Sequence, residues 1–410
     1  MILILLVFWF YLWYRNSFVQ AHKMFFWTGV AYKLLMVLLF GVIYWYWYGN
    51  GDAIFYYQLG LKITAKAKEL PMEYLKFLLY QDHFWQQELD LPFQYLPRGA
   101  IFLKIISFIM LISFNSYWLS SLTLALFAFH GCWYLFQTIY LINQNWKIPA
   151  LSAFIFFPSL VFWSAGLLKE SLVIGFLGFG TGAFIRMVHQ KQYSLKLLIL
   201  LVLSLLAILI FKYYLAAVLI PCMIILTLYE LIKPFRRKIL IPVFFSGLIL
   251  FFIPLINPNL QLSSLTEVVY NNYQLFHQKG GDNLIIFKQL SPDWQGLLNS
   301  IPKALFSGLF RPFFWEVKGF LPVIAGIESF ILMILSLASL VLFTLKRSVN
   351  KNFLPYSIVI VFTSIIFSSF LTLAAPQFGA LVRYRIIFWP FLLFVVLQQL
   401  NHYLRNQIAD

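Results

Sequence analysis

Long apolar runs dominate this sequence and leave few ways for it to fold. Hydrophobic residues make up 62% of the chain and charged residues only 11%, far below the roughly 25% charged residues of a soluble domain. Nearly every run reaches the length at which a helix crosses a bilayer, so we expect an all-α, polytopic integral membrane protein with about 11–12 transmembrane helices. The runs cover residues 2–14, 24–48, 101–114, 117–141, 148–166, 171–187, 195–211, 213–232, 239–256, 321–345, 354–373 and 386–402.

Basic connectors between the runs predict the orientation of the helices. Lysine and arginine are enriched in cytoplasmic loops, which places four connectors inside: Arg15–Lys23, Arg186–Lys196, Lys233–Lys238 and Lys346–Lys351. The connectors 52–98, 257–320 and 374–385 carry most of the acidic residues and are then external. This orientation is consistent only if the run 101–114 is half-inserted or re-entrant.

Charge and cysteine content exclude several classes of protein. The formal net charge of +16 is explained by the basic inner loops, so the sequence does not indicate binding to nucleic acid. Cys132 and Cys222 both lie inside apolar runs, which indicates neither a disulfide framework nor a zinc site.

Topology divides the chain into three predicted parts. The parts are an N-terminal membrane module, 1–256, that includes the first external loop, 50–98; a second external loop, 257–320; and C-terminal transmembrane helices, 321–410. Within the first loop, segment 61–89 has lysine-rich faces opposite apolar ones and a break at Pro71. This pattern predicts helices that lie in the membrane interface rather than across it.

The first candidate site residue, Asp52, stands at the external end of a predicted spanning helix. An aromatic helix pattern stops at Gly49-Asn50-Gly51, and Asp52 follows at once. Because only 14 acids occur in the chain, a lone carboxylate at the membrane surface is a candidate general base. Tyr56 and Tyr57 are candidate acceptor- or sugar-binding residues. The structural alternative is that Asp52 caps the helix that follows.

Further charged candidates fall on the same predicted external face. In the stretch 157–171 a helix breaks after Pro158, and Lys169 and Glu170 begin the next one. A carboxylate in a first helical turn suits the helix dipole, but intramembrane ionisable groups are also functional candidates.

Two arginine motifs complete the candidate set. Arg311 lies in an apolar stretch that returns to the membrane, and Arg383 and Arg385 stand at the external mouth of the last helix. Arginine is the usual fork for phosphate oxygens, while the structural alternative is snorkelling toward lipid headgroups. Together the acid and the cations suit an anionic, lipid-linked substrate, and we expect Asp52, Glu170 and Arg385 to converge on one externally open cavity.

These motifs resemble those of the GT-C glycosyltransferases, polytopic enzymes that use polyprenyl-phosphate sugars at the non-cytoplasmic membrane face. Asp52 matches the catalytic acid of their first external loop, and Glu170 in PSLVFWSAGLLKES looks like their second acidic site. The run RYR at 383–385, followed by Pro390, is similar to a C-terminal feature of the protein mannosyltransferases.

The resemblance implies an inverting glycosyl transfer from a polyprenyl-phosphate donor. Asp52 would be the general base, Glu170 would orient the acceptor or a cation, and Arg383 and Arg385 would bind the donor phosphate. Lys169 or Arg311 would assist the two arginines. A Trp-Trp-Asp signature is absent, so the resemblance implies a metal-independent reaction without a cofactor.

The acceptor implied is a glycan, a lipid or a protein. Composition rich in Phe, Ile, Lys and Asn favours a bacterial inner membrane, with the site facing the periplasm. Three alternatives stay open: a polymerase of polysaccharide repeat units, a transporter or flippase for a lipid-linked anion, and a structural subunit of a membrane complex.

Overall fold

The computed structural model describes residues 8–9, 11–79, 97–231, 262–278, 283–345 and 353–409. This part of the chain is 84% helical and contains no strand; its only extended pairing is an isolated bridge between Leu284 and Gln377. The predicted all-α, multi-pass class is therefore confirmed.

Seventeen α-helices are formed by the described residues. In chain order they are α1 (Ser17–Ala21), α2 (Lys23–Val42), α3 (Asp52–Glu69), α4 (Pro71–Leu79), α5 (Pro97–Ile112), α6 (Tyr117–Ile142), α7 (Lys147–Phe154), α8 (Pro158–Trp163), α9 (Lys169–Val188), α10 (Leu195–Phe211), α11 (Tyr213–Leu231), α12 (Leu262–Gln278), α13 (Trp294–Phe310), α14 (Phe320–Thr344), α15 (Leu354–Ala374), α16 (Phe378–Tyr384) and α17 (Trp389–Ala409).

Six of the described helices are long and apolar enough to cross a membrane. They are α2 with its continuation to Tyr48, α6, α9, α11, α14 and α15. A seventh span results if α16 and α17, which are bent by 64° at their junction, cross as one element. The candidate spans match the predicted runs to within a few residues at each end.

The other predicted runs form shorter elements or lie outside the described residues. Run 101–114 forms α5 and run 195–211 forms α10, both below the roughly 20 residues of a full crossing. Run 148–166 is split into α7 and α8. Most of run 2–14 and all of run 239–256 lie outside the described residues. The described part thus holds six or seven spans, while 11–12 were predicted for the whole chain.

The segment predicted to lie in the interface forms α3 and α4 over its described residues. Pro71 is the first residue of α4, where a missing backbone N–H costs nothing. Neither helix is among the candidate membrane spans of the described chain, and their interfacial position stays a prediction. Residues 80–89 of this prediction lie outside the described residues.

The chain folds into two compact units that interleave along the sequence. Unit 1 is formed by Met1–Thr138, Leu160–Ala183 and Leu195–Tyr213, and unit 2 by Ile139–Ser159, Phe184–Ser194 and Tyr214–Asp410. The organisation into three parts with boundaries at residues 256 and 320, which the topology suggested, stays a prediction.

Glycines allow a close helix crossing in unit 1, between α6 and α9. A Cβ on Gly131 would lie 2.2 Å from the carbonyl oxygen of Gly175, and one on Gly178 would lie 2.3 Å from the backbone of Gly131. Small residues at such positions let membrane helices approach backbone to backbone. Larger side chains at these glycines would push α6 and α9 apart, so this crossing in unit 1 depends on glycine.

In unit 2, helix α13 lies within the region predicted as an external loop, 257–320, and packs tightly against the candidate span α15. A Cβ on Gly308 would lie 2.3 Å from the carbonyl oxygen of Ser368. Asp293 begins α13 as its N-cap and accepts from Gly296 N–H at 2.7 Å, and this hydrogen bond lowers the pKa of the Asp293 carboxyl.

We predict that Gly308→Ala destabilises the protein although alanine is the better helix former. The added Cβ would force α13 and α15 apart, at a cost of about 1–3 kcal/mol. The control is Gly379→Ala, because no described atom lies within 4 Å of its Cβ position. The measurement is the unfolding temperature of the detergent-solubilised protein. Equal unfolding temperatures for the two variants would contradict the close packing.

Candidate active site

The first candidate span of the described residues ends in a sharp break that requires glycine. After α2, residues Ile43–Tyr48 form a π-helical turn, and Gly49, at φ 65°, donates its N–H to Tyr44 O at 3.0 Å. Gly51 has φ 119°, and a Cβ there would lie 2.8 Å from the ring of Tyr44. Both glycines adopt backbone angles that other residues rarely take, so the predicted break is a real feature of the chain.

Asp52 is the first residue of α3, and its side chain is exposed. Gly51 occupies the N-cap position and Asp52 follows it in the first turn, so a structural role for Asp52 at this helix start stays an alternative to catalysis. A carboxylate in the first turn is still favoured by the helix dipole. The structure thus presents an exposed carboxylate directly at the end of a candidate membrane span.

The two tyrosines after Asp52 are both held by packing within unit 1. Tyr56, one turn after Asp52, is buried with its ring edge-on to Phe102 at 4.9 Å. The ammonium of Lys169 lies 5.2 Å from the centre of the Tyr56 ring. Tyr57 donates its hydroxyl to Asn115 O at 2.7 Å, and burial raises its pKa, so it is a protonated donor at neutral pH. Their sugar-binding role stays a prediction.

A second break lies beside the first within unit 1. Helix α8 ends at Trp163 and α9 begins at Lys169. In the loop between them, a Cβ on Gly166 would lie 2.3 Å from the ring of Phe40, which in turn stacks on Tyr44 at 4.3 Å. Gly166, Phe40 and Tyr44 therefore connect the two breaks through successive contacts. The contact of Lys169 with Tyr56 connects α9 and α3, the helices that follow the two breaks.

Glu170 is buried and paired with a lysine that the sequence analysis missed. Its carboxylate is 2% exposed and lies 3.1 Å from the ammonium of Lys212, which is 5% exposed. Lys212 stands between α10 and α11. In the sequence, Lys212 is recognisable only as the single charged residue between the apolar runs 195–211 and 213–232. The pair fixes the first turn of α9, where Lys169 also lies.

In unit 2, Arg385 is fully buried and already engaged. Its Nη1 donates to Arg311 O at 2.6 Å and its Nη2 to Ser329 Oγ at 2.8 Å, and the guanidinium lies 3.4 Å from the centre of the Trp389 ring. A guanidinium bonded in this way organises the junction of α14, α16 and α17. These bonds use two of the five N–H donors of the guanidinium, and its buried Nε has no hydrogen-bond partner in the described part of the chain.

The other two candidate arginines, Arg311 and Arg383, also lie in unit 2. Arg311 donates its Nε to both carboxylate oxygens of Glu316 at 2.9 Å and lies 5.0 Å from the Phe378 ring. Arg383 is half-buried, over the ring of Tyr384 at 5.3 Å.

Sequence reasoning also missed Glu328, which lies inside the apolar run that forms α14. Its carboxylate accepts from the backbone N–H of Ser159 at 3.0 Å and from the Ser159 hydroxyl. The charge of Arg385 attracts it as well. Glu328 and Arg385 are therefore two oppositely charged groups that interact within unit 2.

Asp52, Lys169 and Glu170 belong to unit 1, while Arg311, Arg383 and Arg385 belong to unit 2. The expectation that Asp52, Glu170 and Arg385 share one open cavity stays a prediction. In the part of the chain that the structure describes, no three His, Cys, Asp or Glu side chains are grouped as a metal site would need.

No protein-family model, no curated protein and no solved structure matches this chain. The class that the structure defines is a helical, multi-pass membrane protein. Anything more specific depends on the resemblance of the motifs and on the geometry around Asp52.

We predict that Lys212→Met destabilises the protein by about 3–5 kcal/mol, because it leaves the buried Glu170 carboxylate without this counter-charge. The double variant Glu170→Gln/Lys212→Met should recover most of the loss. Lys196→Met, an exposed position at the start of α10, controls for the lost charge. The stability of all three variants is compared through their unfolding temperatures. A Lys212→Met protein as stable as Lys196→Met would contradict the ion pair.

Proposed function

We propose that this protein is an integral membrane glycosyltransferase that takes a sugar from a polyprenyl-phosphate donor. The observation that carries the proposal is the exposed Asp52 carboxylate at the end of a candidate span, on a helix whose next turn is contacted by Lys169. In this proposal Asp52 is the base and Lys169 the cation, and each follows a glycine-containing break of unit 1.

The chemistry needs both charges. A bond forms between the acceptor oxygen and the anomeric carbon, while the bond from that carbon to the phosphate oxygen breaks. Asp52 takes the proton of the acceptor hydroxyl as general base. Lys169 stabilises the negative charge on the departing polyprenyl phosphate. One displacement with a single base inverts the configuration at the anomeric carbon, and none of the steps needs a metal or a cofactor.

Glu170 has a positioning role in this proposal. Because its carboxylate is paired with Lys212, it holds the first turn of α9 and therefore the backbone from which Lys169 extends. The predicted role in orienting the acceptor or a cation is thereby narrowed to orienting Lys169.

For Arg383, Arg385 and Arg311, binding of the donor phosphate stays a prediction from the sequence. The acceptor is proposed to be a glycan, a lipid or a protein, and the setting a bacterial inner membrane with the site facing the periplasm.

We predict that Asp52→Asn lowers turnover by about 10²–10⁴-fold, the usual contribution of a positioned general base. Asparagine keeps the size and polarity of the side chain but takes no proton, so donor binding should survive. The assay follows transfer of radiolabelled hexose from polyprenyl-phosphate hexoses to an acceptor extract made from membranes, with donor saturating.

The matched control is Glu69→Gln, which removes a carboxylate from the other end of the same helix, where Glu69 is exposed beside Lys66 at 3.6 Å. Its turnover should equal that of the unmodified protein. Full activity in Asp52→Asn would remove Asp52 from the mechanism. Consumption of polyprenyl-diphosphate oligosaccharides instead of the monophosphate donors would identify the polymerase alternative.

A further inference from the structure

A lysine that the proposed reaction does not use is buried inside the first spanning helix. Lys33 lies in the middle of α2 and is 3% exposed. An ammonium inside an apolar span is costly and is retained only where the protein gives it partners. The partners of Lys33 therefore indicate what this residue does.

Lys33 has one hydrogen-bond acceptor in the last turn of α8 and one in the residue that follows this helix. Its Nζ donates to Val161 O at 3.0 Å and to Ser164 Oγ at 2.6 Å. The Ser164 hydroxyl donates in turn to Leu160 O. Lys33 thus binds the last turn of a short helix that lies 128 residues further along the chain.

The backbone at this point explains why a donor is needed. In a continuing helix Val161 O would accept from the N–H of Ala165, but that N–H bonds Phe162 O at 3.0 Å instead. Lipid offers no substitute donor to a carbonyl left over at a helix end. The ammonium of Lys33 takes the place of the missing backbone donor and lets α8 stop at Trp163.

We infer that Lys33 is a positioning residue that holds the break between α8 and α9 and thereby sets where Lys169 stands. Lys33 fixes the end of α8, and the pair of Glu170 with Lys212 fixes the start of α9. Between these points, Gly166 O accepts from Leu168 N–H and from Ser171 Oγ, both at 2.8 Å. The inference rests on the proposed function, in which Lys169 binds the donor phosphate.

The side-chain chemistry distinguishes this role from a general contribution to stability. Lys33→Met removes a buried charge together with its desolvation cost, and this gain offsets the cost of leaving Val161 O without its donor, so the global stability should change little. The same change removes the donor to Val161 O and loosens the loop locally. Lys33→Arg keeps charge and donors on a bulkier group and should restore part of the effect.

The experiment uses the full chain in lipid nanodiscs and two measurements that do not need turnover. Hydrogen–deuterium exchange follows the peptide that covers 160–168, and titration with undecaprenyl phosphate gives a Kd. For Lys33→Met we expect exchange in this peptide and the Kd each to rise about tenfold, with an unchanged unfolding temperature. Lys23→Met, at the exposed start of the same helix, should change neither measurement.

Ser164→Ala provides a second variant if Lys33→Met fails to fold, because it removes one acceptor and leaves the lysine. Unchanged exchange in the variant used overturns the inference. So does faster exchange with an unchanged Kd, or a Kd that Lys33→Arg does not improve over Lys33→Met. If the unmodified protein transfers no sugar yet the Kd still depends on Lys33, the transferase proposal fails while the positioning of a phosphate-binding loop stands.

Discussion

Ionisable side chains inside apolar helices need partners within the protein, because lipid supplies neither counter-ions nor hydrogen bonds. In unit 1, Lys33 and the pair of Glu170 with Lys212 meet this constraint. These contacts flank the break between α8 and α9. These buried charges therefore hold the irregular backbone between α8 and α9 in place. The proposed chemistry depends on this segment.

The fold class and most helix limits were predictable because they depend on local properties. Apolar run length predicts a spanning helix, and the runs 24–48 and 117–141 agree closely with Lys23–Tyr48 and Tyr117–Ile142. The break at Gly49 was predictable because glycine supplies the φ > 0 it needs. Apolarity does not distinguish one long helix from two short ones, so the splitting of run 148–166 into α7 and α8 could not be predicted.

Only part of the candidate site was predictable, again because sequence patterns report local properties. Asp52 and Glu170 were identifiable because acids are scarce in this chain. Their surroundings depend on contacts between distant segments: Lys212 is 42 residues from Glu170, and Lys33 is 128 residues from Val161. In the sequence Lys33 is one charge within an apolar run, and nothing local indicates that it binds a helix end.

The central claim is that the two breaks of unit 1 bring a base and a phosphate-binding cation to neighbouring helical turns. A structure of the protein in nanodiscs with bound undecaprenyl phosphate tests it most directly. The account predicts phosphate oxygens at roughly 2.7–3.2 Å from Lys169 Nζ, a normal hydrogen-bond distance, with the Asp52 carboxylate facing the same space. A phosphate bound away from Lys169, or an Asp52 carboxylate that faces only lipid, would contradict it.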